Sequence, residues 1–583
     1  MGNYYIGLSV TYHDPALAII NGHGEVLFAE ATERFLQNKR ALNCEPDQLF
    51  YLPQLLGDYC PDAKTVTIAT NWRKQRPLYE NMVERLGILS ASGLLKTGLK
   101  KLVSPLENYQ LHHKMACQHN AITKAGLNLV RVLREQQPRC HIRFADFDHH
   151  LTHAAMACYS SPFSDAACAV IDSYGENGSL AFYRYRNQQL HCLHKSKGFA
   201  SGSLGFFYMK LTELCGFSWL KGEEWKVMGL ASYGKLNPEL YSIFEQLVTV
   251  NGLDCQHPKQ DFFANLAKLE RFKRSQDQAI EWAADCAYTG QLFFADKASQ
   301  LLNHLGAVTQ MENLALAGGC ALNSSFNGHI SQRTAFKQVH IPSAPADDGC
   351  ALGAAWLAYH QAAGDDAKPP RRLSPYLGAA ISDASVERLK HYNRSLTIEH
   401  LPEIIGEKTA QQLAQGKLVG WIQGRAEFGP RALGNRSILA DPRFAATQDH
   451  INANIKFRES FRPFAPSVLQ EHGDDYFEHY QASPYMDKTL TIRESKRDSI
   501  QAVCHIDGTA RLQTVEYAVN PRFYGLIQHF YQLTGIPLLL NTSFNVMGKP
   551  LVHSLDDALV VFMGSGLDVL VVNDYFITKA RDE

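Results

Sequence analysis

Three things are missing from this sequence. No apolar run approaches the roughly 20 residues that a membrane-spanning helix needs, no cysteine pair is spaced as CxxC, and neither sign of charge is in excess. The first absence argues against a helical membrane protein. The opening MGNYYIGLSV also lacks a basic segment, an apolar segment and a small-residue cleavage site, so a secretory signal is not expected. Gly2 and Thr11 in polar company make a poor acylation signal. The thirteen cysteines are odd in number and scattered singly, many in apolar contexts such as AACAVID and AGGCALN. That pattern fits reduced, buried thiols in a cytoplasmic protein rather than a disulfide framework. With 57 Lys and Arg against 58 Asp and Glu, the net charge of -1 gives no long-range attraction for nucleic acid or anionic lipid. A soluble cytoplasmic enzyme is expected, with neither nucleic acid nor membrane as partner.

What is present divides into two textures. A length of 583 residues exceeds one hydrophobic core, so two or three domains are expected. Near the start, YYIGLSV reads as a strand, TYHDP as a polar turn, ALAII as a strand, NGHG as a hairpin turn and EVLFAEAT as a third strand. The plan recurs about 160 residues later in CAVIDSYGENGSLAFYRYRNQQLHCLHKS, which implies an internally duplicated α/β architecture. PLYENMVERLGILSASGLL and QAIEWAADCAYTGQLFFADKASQLLNHLGA read as helices. The polar, proline-broken GDDAKPPRRLSP reads as a linker, placing a boundary near 365–375. Beyond it KLVGWIQ, IPLLLNTSF and LDVLVVNDYF begin a distinct α/β module.

In the first module, DFDHHLTHAAMACYSSPF places His149 and His153 four apart, on one face of a helix, where two imidazoles can hold one metal. A histidine-rich helix start without metal is the alternative. Asp347 and Asp348 in PADDGCALG are candidates for a third ligand. LALAGGCALNSSFNG reads as a strand meeting a helix through Gly318 and Gly319, a turn that leaves room for an anionic ligand, or that simply packs tightly. Asp172, Gly175, Glu176 and Gly178 in IDSYGENGS form a hairpin able to wrap phosphates and a metal. GEEWKVMGLASYG offers Lys226, which taken singly reads as a solvated charge.

The second module is richer in cations. GWIQGRAEFGPRALGNRSILADPR carries Arg425, Glu427, Arg431 and Arg436, and NIKFRESFRPFAPSVL adds Lys456, Arg458 and Arg462. They are interleaved with Gly, Pro and Phe rather than polar filler, so they fit a small, highly charged anion together with a nucleoside triphosphate better than a solvated face. Arg511 in HIDGTARLQTV is expected at a strand end, and LLLNTSFNVMGKPLV ends a strand on Asn541, Thr542 and Ser543.

These segments resemble one family. The tandem hairpins, the Gly-Gly turn and the DDG turn resemble the actin/sugar-kinase/Hsp70 superfamily. HHLTHA and EWKVMGLASYG are similar to the Kae1-like half of the O-carbamoyltransferases of nodulation-factor and antibiotic or other natural-product biosynthesis. GRAEFGPRALGNRSILADPR, IKFRESFRPFAPSVL and LLLNTSFNVMGKP are similar to that family's YrdC-like C-terminal domain. The resemblance implies an α/β fold with a duplicated actin/Hsp70-like (Kae1-like) domain over 1–365 and a YrdC-like α/β domain over 366–583. It implies that carbamoyl phosphate and ATP, with Mg²⁺, form carbamoyl-adenylate at Arg431, Lys456, Arg462, Arg511, Asn541 and Ser543. It implies iron, as Fe²⁺, at His149, His153 and a DDG aspartate, Asp347 before Asp348. Gly318, Gly319 and Asn323 would line a nucleotide pocket, with Asp172, Gly175 and Glu176 near the phosphates or their metal and Lys226 beside them. His13 and Asp14 in TYHDP would serve as base and orienter toward the hydroxyl of a small-molecule acceptor, although a turn-capping Asp explains the pair equally. An N-carbamoyltransferase and a tRNA threonylcarbamoyl-adenosine synthase are the alternatives, and a homodimer is expected. The chain departs from the family pattern at Trp225, Ser232, Ala426 and Lys549, none of which removes an assigned charge.

Overall fold

The computed structural model describes residues 2–73, 105–197, 202–257, 262–364, 367, 373–392, 395–459, 461–546 and 548–580. The helix expected over 77–95 lies outside the described residues.

Two five-stranded sheets with identical wiring form the first half. In the first, β1 (Asn3–Ser9), β2 (Ala16–Asn21) and β3 (Val26–Ala31) make an antiparallel meander, and β4 (Thr65–Thr70) and β5 (His141–Asp146) extend it in parallel from β1, giving the order β3-β2-β1-β4-β5. The second repeats this with β6 (Asp165–Ile171), β7 (Leu180–Arg186), β8 (Gln189–Lys195), β9 (Asn313–Ala317) and β10 (Gln338–His340), in the order β8-β7-β6-β9-β10. The alternation of a strand explains how each sheet is covered on two faces. On β6, Ala167, Ala169 and Ile171 enter one core while Ala166, Cys168 and Val170 enter another.

The shared core between the two sheets is filled by helices α1 (His149–Tyr159) and α4 (Cys350–Ala363), both rich in alanine. Small side chains let backbones approach closely. A Cβ at Gly7 of β1 would stand 1.8 Å from the carbonyl oxygen of Ala351, so only glycine fits there. Two further helices, α2 (Glu224–Ala231) and α3 (Ala284–Thr309), cover the second sheet. The long helix expected from Gln278 begins later, because Ile280–Ala283 forms a 3₁₀ turn that leads into α3.

The C-terminal half is built on a nine-stranded mixed sheet. Its strands in chain order are β11 (Leu396–His400), β12 (Val419–Ile422), β13 (Arg436–Ala440), β14 (Ala465–Leu469), β15 (Lys488–Thr491), β16 (Thr509–Val515), β17 (Leu538–Ser543), β18 (Val569–Val572) and β19 (Tyr575–Lys579). Their spatial order is β11-β19-β18-β12-β13-β17-β14-β16-β15. Both faces are dry. Val569 and Val571 of β18 join one core, with helices α5 (Ile405–Ala414) and α6 (Pro521–Thr534), while Leu570 and Val572 join the other. Continuous apolar runs such as DVLVV are what such two-sided burial requires. Arg511 lies in the interior of β16, not at the strand end expected for it.

The segment after β3 ties the halves together. Arg34 Nη2 donates to Gly429 O at 2.5 Å, Gln37 Nε2 donates to Leu551 O at 3.0 Å, and Lys549 Nζ donates to Gln37 O at 3.3 Å. Buried Glu30 accepts from the Ala379 backbone at 2.9 Å and faces His553 Nε2 at 3.1 Å.

Candidate active sites and metal centre

Helix α1 starts sharply because the Asp148 side chain accepts from Leu151 N at 3.1 Å. One turn separates His149 from His153, so their Nε2 atoms emerge together. They meet Asp347, from the 3₁₀ turn that precedes α4, and Asp172, from the end of β6. His149 Nε2 lies 3.6 Å from Asp347 Oδ1 and 3.4 Å from Asp172 Oδ2; the distances for His153 Nε2 are 3.4 and 3.9 Å. All four residues are buried. The donor set of two imidazoles and two carboxylates suits a first-row divalent metal. For bonds of about 2.1 Å, tetrahedral ligand atoms stand ~3.4 Å apart, close to these separations. Neither ring nitrogen of His153 makes a hydrogen bond among the described residues. A dry, unsatisfied imidazole costs about 1–3 kcal/mol unless something binds it.

The surroundings orient these groups. Trp72 stacks on the His149 ring at 4.8 Å between centroids, and Asn71 Nδ2 faces His149 Nδ1 at 3.3 Å, the kind of outer partner that fixes a ligand's tautomer. Burial pushes the Asp172 carboxyl up, but the facing imidazoles outweigh it and hold the group below the usual carboxylate range. Burial and His149 push His150 down to about 3, so His150 is a neutral member of the shell. Asp348 stands apart. Its carboxyl is pushed up to about 8 by burial and by Asp14 and Glu33, and its Oδ1 accepts from Gly349 N at 3.0 Å.

Several expected roles change here. Asp172 was expected near phosphates or their metal; the structure puts it beside His149 and His153, where Gly319 N also donates to its Oδ1 at 3.2 Å. Gly318, at φ 91°, packs tightly against the end of β6 and has no room for a Cβ, which would stand 2.3 Å from Ile171 O. The helix expected behind it is only Ser324–Asn327, and Asn323 spends its Oδ1 capping it, on Phe326 N at 3.1 Å. Gly175 donates its N–H to Gly178 O at 2.6 Å, and Glu176 accepts from the Arg73 backbone at 3.0 Å. Lys226 pairs with Glu223 and with Glu459, both at 2.9 Å, and so bridges the two halves of the chain.

His13 stands at the rim of the imidazole-carboxylate cluster. Its Nδ1 lies 2.9 Å from Asp14 Oδ2 and 3.5 Å from Asp347 Oδ2. Two carboxylates at Nδ1 keep the proton on that nitrogen and leave Nε2 as the basic atom. Asp14 is held at φ 55°, a costly conformation for a non-glycine residue. Arg40 over-determines it: Arg40 O accepts from Asp14 N at 2.8 Å, and Arg40 Nη2 donates to Asp14 Oδ2 at 3.1 Å. Against the cost of burial, Arg40 and His13 hold the Asp14 carboxyl well below its usual range.

The second cluster lies in the C-terminal half. Not every motif cation belongs to it. Arg425 donates to the Leu377 and Gly378 carbonyls, and buried Arg436 to those of Gln423, Asn435, Ala379 and Gly424. Glu427 Oε1 receives the N–H groups of Leu433, Asn435 and Arg436. These three residues shape the GPRALGN turn. Arg431, Arg458, Arg462 and Arg511 remain, half-buried and close enough to act on one another. Burial and the other three arginines push Arg511 well down; burial pushes Arg431 down to about 10; burial and Arg462 push Arg458 down to about 9. Arg458 Nη2, Arg462 Nε and Arg511 Nε make no hydrogen bond among the described residues. Cations that destabilise each other's charge need an anion between them.

Trp225 packs on the Arg462 guanidinium at 3.8 Å, and Glu459 accepts from Arg462 Nη1 at 3.3 Å. Lys456 is buried, its Nζ ringed by the carbonyl and hydroxyl oxygens of Ser543 and by Asn545. Asn541 joins a buried network with Ser467 and Gln513. These two, with Ser543, shape the floor of the cluster. Lys39 escaped the sequence reading. Exposed at the rim, it feels both Asp14 and Arg462, and so stands between the two sites.

Residues 101–356 match the family model described as carbamoyltransferase N-terminus, and residues 410–579 that described as carbamoyltransferase C-terminus. The chain belongs to the carbamoyltransferase family. It is 36% identical over 446 residues to nodulation protein NolO of Bradyrhizobium diazoefficiens, covering 74% of this chain and 79% of that one. Nodulation protein NolNO of Sinorhizobium fredii is 37% identical over 448 residues, 75% of this chain; the match spans 64% of NolNO's own length. The uncharacterized protein sll1178 of Synechocystis sp. is 32% identical over 99% of this chain and 97% of its own. The chain is therefore a carbamoyltransferase, with a half built on two five-stranded sheets of the same wiring followed by an α/β half built on a nine-stranded mixed sheet. Among its described residues no helix is long and apolar enough to cross a membrane.

Proposed function

We propose that this carbamoyltransferase is ATP-dependent, builds carbamoyl-adenylate from carbamoyl phosphate and ATP, and transfers the carbamoyl group to a hydroxyl of a small natural-product acceptor. The observation that supports this reading is the separation of two complementary sites: an arginine cluster around Arg511, in which Arg458 Nη2, Arg462 Nε and Arg511 Nε have no hydrogen bond among the described residues, and an imidazole-carboxylate cluster with His13 at its rim.

At the cation site, Arg431, Arg458, Arg462 and Arg511 bind the phosphate oxygens of both substrates. They offset the charge that develops when water splits carbamoyl phosphate into carbamate and phosphate. The carbamate oxygen then attacks the α-phosphorus of ATP, and pyrophosphate leaves, its charge accepted by the same arginines and by the Mg²⁺ that accompanies ATP. Lys456, held by Ser543 and Asn545, keeps the strand end rigid beneath these groups.

Carbamoyl-adenylate passes Lys39 toward His13. There, Nε2 of His13 takes the proton of the acceptor hydroxyl as its oxygen attacks the carbamoyl carbon and AMP departs. Asp14 and Asp347 hold the His13 ring through Nδ1. His149, His153, Asp347 and Asp172 would hold Fe²⁺, which when bound supplies Lewis acidity toward the carbamoyl-adenylate. The test is whether purified protein releases AMP and pyrophosphate from ATP only in the presence of carbamoyl phosphate. AMP release without carbamoyl phosphate, or none with it, contradicts the reading.

A further inference from the structure

His149 and His153 belong to two donor sets, and the second contains no carboxylate. Cys350, the first residue of α4, brings its Sγ to the same imidazoles, so that one ligand atom from each of His149, His153 and Cys350 lies within 4.8 Å of the others. The four-residue set with Asp172 and Asp347 meets the same limit separately. Asp347 and Cys350 sit three positions apart, one turn of backbone, on opposite ends of the DDGC segment. All of these side chains are buried, and His153, common to both sets, has no hydrogen bond at either ring nitrogen. The remaining twelve cysteines form no such group among the described residues.

The two sets differ in chemical preference. Two imidazoles with two carboxylates suit iron or manganese. Two imidazoles with a thiolate suit Zn²⁺ and Cd²⁺, for which sulfur is a preferred donor. We propose that His149, His153 and Cys350 form a second, thiophilic metal position overlapping the first, through which Zn²⁺ or Cd²⁺ binds via sulfur and displaces the ion held by the carboxylates. The displacement half rests on the proposed His–Asp metal site; the sulfur position itself does not. Binding forms one metal–sulfur bond and releases the thiol proton, with no change of oxidation state. The consequence is a transferase inhibited by thiophilic metals at the same histidines it uses for transfer.

The experiment is a titration of metal-stripped full-length protein with Cd²⁺, following the ultraviolet sulfur-to-cadmium charge-transfer band, beside Mn²⁺ binding followed by electron paramagnetic resonance. Wild-type protein is expected to show the band, and Cd²⁺ to release bound Mn²⁺. Cys350→Ser and Cys350→Ala should lose the band, keep Mn²⁺ binding and need at least about tenfold more Cd²⁺ for release. Retained Mn²⁺ binding also shows that the variants are folded. A band that persists in both variants, or is absent from wild-type protein that binds Mn²⁺, overturns the Cys350 position and leaves the His–Asp site standing. A band without Mn²⁺ binding overturns the His–Asp site and the displacement with it.

Discussion

Asp347 divides its carboxylate between two histidines: Oδ1 lies 3.4 Å from His153 Nε2, and Oδ2 lies 3.5 Å from His13 Nδ1. One side chain thus contacts both the candidate metal ligands and the histidine proposed as base. Asp347→Asn keeps the size and removes the charge. It should lower metal affinity and acceptor carbamoylation about 10–100-fold each, as loss of an orienting partner does, while AMP release from ATP and carbamoyl phosphate stays within about twofold. Metal content after dialysis and a split assay of the two half-reactions check this.

Arg511 sits among like charges, which costs stability until an anion arrives. Arg511→Met should abolish carbamoyl-phosphate-dependent AMP release, yet leave the ligand-free protein at least as stable as wild type. Inorganic phosphate should raise the melting temperature of wild type as its concentration passes the dissociation constant, and do less for the variant. Thermal unfolding with and without phosphate decides it.

His553 and Glu30 join the two halves in a largely buried ion pair, with Tyr51 and Asp557 beside it and Arg436 opposing. Burial alone would lower the His553 pKa, but Glu30 outweighs it and raises it above 6.5. The sign follows: the pair's contribution is fully present below the unfolded histidine value and is lost as pH rises through the higher folded value. His553→Gln should cost about 1–3 kcal/mol at pH 6, and the difference from wild type should shrink toward alkaline pH. Denaturant unfolding at several pH values measures it.

At Gly7 the limit is steric. Gly7→Ala drives a methyl into the Ala351 carbonyl and parts β1 from α4. The expected cost is about 1–3 kcal/mol. Because α4 carries Cys350 and follows Asp347, metal binding should weaken with it, and a variant of unchanged stability and metal content contradicts the packing described.

Much of this was legible in the sequence, and the boundary of legibility has a physical cause. Local periodicity reaches as far as one helix, so the shared face of His149 and His153 follows from their spacing alone. Which carboxylates face them depends on a strand end and a turn that lie beyond that helix in the chain. Asp172 read as part of a hairpin for phosphates and a metal, without the histidines as its partners, because the end of β6 and the start of α1 are adjacent only after the second sheet has formed. Asp347 and Asp348 are equivalent in sequence and are distinguished only by the turn that points one at the imidazoles. Arg425 and Arg436 look like anion ligands until backbone carbonyls surround them. Cys350 and Lys39 carry no motif of their own; the residue after DDG, and the basic residue after β3, acquire meaning from what the fold places opposite. The duplicated hairpin plan was visible because strand alternation and turn chemistry are local.

The most direct measurement uses His13→Ala protein with carbamoyl phosphate labelled in its carbon and ATP labelled in its α-phosphate. In a single turnover without acceptor, both labels should appear in one compound, at about one equivalent per chain. Added acceptor should then draw no carbamoyl group from it. Labels that never join, or a carbamoylated acceptor formed at the wild-type rate, contradict two sites with adenylate formed at the arginines and transferred at His13.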